Sequence, residues 1–176
     1  DAWFRLGTAW QRQGSADPAD PAAADSAIAA FQHALEADPE SVRAMVHLGL
    51  ALEDRHRFEE ALAQYDRAAA AAPEDPLPLV NKASLLYFQF KKTYEAKQAI
   101  SRALELDPDN ADAHFNLGVM FADANLFGEA RTEWERVLET APDGPARSLA
   151  QDNLNRIQPM LDAAGAAAGT SEPSGE

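Results

Sequence analysis

Cysteine is absent from the 176 residues, which removes disulfides, thiolate nucleophiles and Cys-based zinc sites at once. Basic residues are scarce: 15 Lys and Arg stand against 29 Asp and Glu, for a formal net charge of -14. Binding to phosphate backbones or anionic headgroups depends on clustered cations, so the balance argues against nucleic acid and membrane surfaces as partners. The same acidity reads first as a soluble, mutually repelling surface and second as a preference for a basic partner. No apolar run approaches the roughly 20 residues that span a bilayer, and no charged segment with an apolar core opens the chain. No membrane insertion is expected, and the compartment, cytoplasmic or periplasmic, is not legible. The chain opens on Asp1 with helical pattern at once in Ala2 and Trp3, as a fragment or processed product would.

Catalytic constellations are missing too. There is no glycine-rich phosphate loop and no nucleophile with a base at helical spacing. His33, His47, His56 and His114 are scattered, with no H-x3-H or H-E-x2-H run to set two on one face. The pairs Glu59 with Glu60 and Asp107 with Asp109 fall where acids satisfy free helix amides. The expectation is no enzyme, no metal and no cofactor.

What is present is a period. Ala37, Asp38, Pro39 recur as Ala71, Ala72, Pro73, as Leu106, Asp107, Pro108 and as Thr140, Ala141, Pro142, with the prolines 34, 35 and 34 residues apart. Before each proline lies a small, large, small pattern on one helix face: Ala27, Phe31, Ala34; Ala61, Tyr65, Ala68; Ala96, Ile100, Ala103; Ala130, Trp134, Val137. A second helix precedes each of these. Trp3, Leu6, Gly7 and Trp10 give W-x2-L-G-x2-W, and Leu48, Gly49, Leu52 and Leu117, Gly118, Phe121 repeat its latter half, with Asn81, Lys82, Ala83 and Leu86 a weaker version. A proline lacks the amide hydrogen and crowds the preceding turn, so each one ends a second helix. The small residues at Gly7, Gly49, Ala83 and Gly118 predict close helix approach, with Ala27, Ala61, Ala96 and Ala130 as the facing residues.

These residues resemble the tetratricopeptide repeat, whose signature is W-x2-L-G-x2-Y, A-x3-F and a late proline over 34 residues. The resemblance implies an all-α fold, a right-handed α-solenoid of stacked antiparallel helix pairs, with repeats at about 1–40, 41–75, 76–110 and 111–144. Residues 145–161 read as a further helix through Leu149, Leu154, Ile157 and Leu161, which the resemblance makes a capping helix, polar outward at Arg147, Gln151, Asp152 and Arg156. From Asp162 to Glu176 the composition collapses to small and polar residues and reads as a disordered tail. Two departures stand out. Gly7 and Ala27 are 20 positions apart where repeats two and four have 12, an insertion around residues 14–21 that predicts a longer inter-helix loop, with Asp20 and Pro21 starting an extended second helix. Repeat three carries one extra residue between Ala83 and Ala96, which blurs its register by one position.

In this family the first helices line a concave groove that binds proteins or peptides. With the Leu-Gly pair as ruler, the resemblance assigns to that groove Phe4, Arg5 and Thr8; Arg43, Val46, His47 and Leu50; Leu77, Val80, Asn81, Ser84, Tyr87 and Phe88; and Asp112, Phe115, Asn116, Val119 and Asp123. The position before each Leu-Gly pair forms a row of Arg5, His47, Asn81 and Asn116, all hydrogen-bond donors, although Asn there serves equally to bond neighbouring helices. Phe4, Val46, Leu50, Val80, Phe115 and Val119 are expected to offer it apolar surface. One subtype of the family clamps chaperone C-termini with Lys, Arg and Asn, and this chain departs from it. Phe4, Thr8, Leu77 and Asn81 occupy those places in one register, and Val46, Leu50, Asp112 and Asn116 in the next. The implied function is a protein-interaction module or scaffold; the alternatives are a self-associating structural protein, hence a homo-oligomer, or a regulatory piece of a larger chain.

Overall fold

The computed structural model of the chain describes residues 2–16, 21–141 and 143–169. Among the described residues there are nine α-helices and no strand: α1 Ala2–Ala16, α2 Pro21–Ala37, α3 Val42–Asp54, α4 Phe58–Ala71, α5 Leu77–Phe88, α6 Thr93–Leu106, α7 Ala111–Asp123, α8 Phe127–Thr140 and α9 Pro145–Gly169. This is an all-α helical repeat fold. The helices pair as α1 with α2, α3 with α4, α5 with α6 and α7 with α8. The chain divides into two compact units, Asp1–Leu106 and Asp107–Glu176, so the first three pairs form one body and α7 to α9 another.

Within a pair the contact is tighter than two methyl groups would give. A Cβ placed on Gly7 would lie 2.6 Å from Phe31 Cε1, one on Gly49 2.4 Å from Tyr65 Cε1, and one on Gly118 2.5 Å from Trp134 Nε1. The glycine of the first helix therefore meets the large residue of the second. The sequence reading set Ala27, Ala61 and Ala130 there; those alanines are fully buried, but the ring four residues further on takes the space above the glycine. Repeat three has both partners changed, Ala83 for glycine and Ile100 for the aromatic, and both are fully buried. A methyl is gained on one side and a ring is lost on the other.

The turns inside repeats two, three and four share a device invisible in composition. His56, Lys91 and Asn125 sit at φ 55°, 55° and 60°, in the left-handed region that L-residues enter at a cost, and each lies two residues before the next helix. In repeats two and four the following turn closes from Arg57 N–H to Leu52 O and from Leu126 N–H to Phe121 O; in repeat three Lys92 N–H reaches Leu86 O at 2.9 Å. The extra residue of repeat three is thus absorbed at the end of α5, and Ala61, Ala96 and Ala130 keep one register behind the turn.

The insertion in repeat one lengthens helices. α1 continues through Gly14 to Ala16 and α2 starts at Pro21, so the inserted residues extend α1 where the sequence predicted loop; residues 17–20 lie outside the described residues. Between repeats, Asp38 Oδ1 accepts from Glu40 N–H and Asp107 Oδ1 from Asp109 N–H, each at 3.3 Å. Asn110 caps α7 by accepting from Ala113 N–H at 3.0 Å. Tyr65 donates its hydroxyl to Glu53. Burial pushes the Glu53 carboxyl up, against the opposing pull of that hydrogen bond, and also pushes the Tyr65 phenol up.

In the second unit α9 buries Ala150 and Ile157 against Ala130, Trp134 and Val137, with Leu154 and Leu161 half-buried beside them. Leu149, expected on the packed face, is 52% exposed. Arg147, expected to point outward, donates to the carbonyls of Leu138 and Ala141, satisfying the open end of α8. The helix also runs on through Gly169, eight residues past Leu161; the rest of the predicted tail, 170–176, lies outside the described residues.

Two outcomes follow from this packing. Gly118→Leu and Ala130→Leu each lose roughly 1 to 3 kcal/mol by overpacking, whereas Glu139→Gln, on an exposed i,i+3 pair with Arg136, stays within about 0.5 kcal/mol of the parent. Chemical denaturation checks the order, and parent-like midpoints for the two Leu variants contradict it. A chain ending at Asp143 exposes the surface that Ile157 covers, worth roughly 1.5 to 3 kcal/mol for that side chain alone. It should melt at least about 5 °C lower, and equal melting temperatures would make α9 a passive extension.

Candidate functional site

The candidate face is the exposed side of the first helices, and burial sorts the assigned residues. Phe4, Val46 and Val80 are core residues, with Phe4 only 7% exposed, so the apolar lining expected of Val46 and Val80 is corrected: their side chains belong to the core, while Phe4 both packs in the core and borders a surface pocket. Phe4 packs its ring 5.7 Å from Phe31 and 5.2 Å from His47. Leu50 is half-buried against the same core. Phe115 and Val119 are half-buried and pack against the core of the second unit. Val119 and Asp123 border a cavity of about 260 Å³ closed on its other side by Asn153, Arg156, Ile157 and Met160 of α9. In that unit part of the assigned face already has an occupant from the same chain.

On the first unit the polar residues gather. Arg5, Thr8, Arg12, Arg43 and His47, with the Phe4 ring as floor, line an open pocket of about 410 Å³. Arg5, Thr8 and Arg12 are spaced i, i+3, i+7 and so share one stripe of α1, while α3 supplies Arg43 and His47. The Arg43 guanidinium lies 4.6 Å above the centre of the Phe4 ring, a cation–π contact that orients it. His47 Nδ1–H donates to Gln11 Oε1 at 2.9 Å. Burial, and then the Arg43 charge, lower the His47 pKa, so near neutral pH the ring is uncharged and its Nε2 is an acceptor. Arg12 was missed from the sequence, although its position one turn beyond Thr8 was a sufficient signal.

Further along the same unit, Leu77, Asn81, Ser84 and Phe88 fall at i, i+4, i+7 and i+11, one stripe of α5. Leu77 is 45% and Phe88 39% exposed, Asn81 and Ser84 are half-buried, and Tyr87 stands edge-on to Phe88 at 5.2 Å. Asn116 and Asp112 belong to the second unit, half-buried and exposed respectively. The expected row therefore divides into Arg5, His47 and Asn81 on one body and Asn116 on the other. Among the described residues, no group of three or more His, Cys, Asp and Glu side chains is placed to hold a metal, and no helix is long and apolar enough to cross a membrane.

Comparison with known proteins agrees with this architecture. The cytochrome c-type biogenesis protein CycH of Pseudomonas aeruginosa is 28% identical over 148 residues, 82% of this chain and 36% of that protein. The CTR9 homolog of Arabidopsis thaliana is 35% identical over 101 residues, 57% of this chain and 9% of that protein. The chain thus spans a minor part of the length of these relatives. Among solved structures, the first TPR of Spaghetti (RPAP3) bound to the HSP90 peptide SRMEEVD superposes with a TM-score of 0.61 at 26% identity, over 71% of this chain and 96% of that one. The family model of the tetratricopeptide repeat matches residues 22–76 and 82–145, more than half of the chain, and with the paired helices and glycine contacts above, this places the protein in the tetratricopeptide repeat family.

Proposed function

We propose that this chain is a protein-binding module that holds a segment of a partner polypeptide on the first-helix face of its Asp1–Leu106 unit, with no cofactor and no catalytic chemistry of its own. The observation that carries the reading is the division of labour on α1, α3 and α5. One side of each helix is consumed in the core, while Arg5, Arg43 and Leu77 are exposed and Thr8, Asn81 and Ser84 half-buried on the remaining stripes. The arrangement mixes donors, a neutral imidazole acceptor and partly exposed apolar side chains, which together suit a peptide backbone with its side chains. The RPAP3 neighbour holds a peptide, which supports peptide binding as a use of this architecture. The similarity to CycH over most of this chain and little of that protein supports a binding arm within a larger assembly factor.

A second reading, self-association, has one observation in its favour. Trp3 and Leu6 are 47% and 42% exposed, whereas Met45 and Leu48, their equivalents in repeat two, are buried. Sedimentation across a concentration series separates the two: a single species that Trp3→Ser leaves unchanged disposes of the second reading.

The first reading is tested with Leu77→Asp combined with Asn81→Ala, adjacent positions on α5. Immobilised parent and variant are compared for the polypeptides each retains from cells of the source organism. The variant should keep its helicity and lose about 2 kcal/mol or more of binding, roughly thirtyfold or more in affinity. Equal retention by the folded variant contradicts the assignment of the face.

A further inference from the structure

The chain is strongly acidic, yet one place on it has the opposite sign. We propose that the Arg5, Arg12 and Arg43 pocket takes an acidic segment of a partner polypeptide, bound through several side-chain carboxylates. The inference rests on the protein-binding reading above and deepens it.

Three observations lead there. The first is pairing. Of the four other arginines on the same unit, three are matched to acids, Arg55 to Asp25 at 2.9 Å, Arg57 to Glu60 at 2.7 Å and Arg102 to Glu105 at 2.9 Å, and the fourth, Arg67, donates to Gln64 Oε1 at 3.0 Å. Among the described residues no acid pairs with Arg5, Arg12 or Arg43, and no acidic residue lines their pocket. In a chain with 29 acids and 15 bases, adjacent unpaired cations are an uncommon arrangement, and it falls on the face read as functional. The second is orientation. Arg43 is held over the Phe4 ring, and its neighbour His47 is tied to Gln11, so part of the pocket is set before a ligand arrives, which lowers the cost of binding.

The third observation is span. Arg5 and Arg12 are seven residues apart on α1, about 10 Å along the helix, and Arg43 approaches from α3. A single carboxylate is matched by one guanidinium fork and cannot serve all three. A stretch of Asp and Glu side chains can. This differs from a terminal-carboxylate clamp, whose first-repeat positions hold the buried Phe4 and Thr8 here. A nucleic acid fits less well, because its charge continues along the whole strand and would run from the pocket onto acidic surface, whereas a short acidic segment concentrates its charge at the pocket.

The probe is an acetylated and amidated peptide with a run of glutamates, titrated into the full chain and followed by fluorescence anisotropy. The expected result is saturable binding that weakens as salt rises, since exposed ion pairs are screened. It should fall about tenfold or more in the triple variant Arg5→Gln, Arg12→Gln, Arg43→Gln, and also when Gln replaces Glu in the peptide. Circular dichroism shows that the variant is folded. Leu77→Asp with Asn81→Ala should bind the probe like the parent, which separates this inference from the wider reading. Equal binding of the Glu and Gln peptides overturns the proposal, as does unchanged affinity in the triple variant. So does tighter binding of a neutral peptide with a free C-terminus, or of a short single-stranded RNA. If the acidic peptide fails while polypeptide retention still depends on Leu77 and Asn81, the pocket assignment falls and the protein-binding function stands.

Discussion

The structure depends on the contact between a bare glycine backbone and a ring. Gly7 under Phe31, Gly49 under Tyr65 and Gly118 under Trp134 bring the two helices of a pair closer than any Cβ allows. A glycine inside a helix costs about 1 kcal/mol relative to alanine, so its use at these three helix-interior positions calls for a compensating gain. That gain is an aromatic side chain buried to the last few percent of its surface, worth more than the propensity lost. Once the ring is seated, the alanines four positions before it close the pair, and the outer stripe of the first helix is left free of packing duties.

Function follows from that freedom. Because Phe31 and Phe4 fill the space between α1, α2 and α3, Arg5, Thr8 and Arg12 on α1 and Arg43 and His47 on α3 are left to meet at the arginine pocket. The stripe on α5 arises the same way, with Val80, Ala83 and Leu86 turned inward and Leu77, Asn81 and Ser84 left outside. In the Asp107–Glu176 unit the corresponding surface is partly taken by α9, so the second unit serves α8 and its own closure before it serves any partner.

Much of this was legible in sequence, for a physical reason. Helix pairing repeats at a fixed distance, so the prolines at 39, 73 and 108, the small residues and the rings announce the fold by their spacing. What was hidden is whatever depends on the direction of a side chain. Gly118 was assigned to Ala130 because small residues were expected to face each other, when the space over a glycine is large enough to receive an indole. Val46 and Val80 stand at groove positions, but each is large and apolar enough to turn into the core, and Phe4 shares its ring between the core and the arginine pocket. Net charge argued against anionic partners, and it averages over the whole surface, whereas Arg5, Arg12 and Arg43 act within one pocket. The left-handed turns at His56, Lys91 and Asn125 carried no glycine to mark them.

Repeat three offers the means to test the central contact, since Ala83 with Ile100 stands there in place of glycine with an aromatic. The decisive measurement is a double-mutant cycle of unfolding free energies on Gly7→Ala, Phe31→Ile and the combined variant. A methyl at Gly7 would sit within 3 Å of three Phe31 ring carbons, so the first change should destabilise the chain despite its gain in helix propensity. The second should leave a cavity. The pair together should recover part of both losses, with a coupling of about 1 kcal/mol or more. Additive losses, or a Gly7→Ala variant more stable than the parent, would contradict the claim that ring against backbone sets the helix pairing.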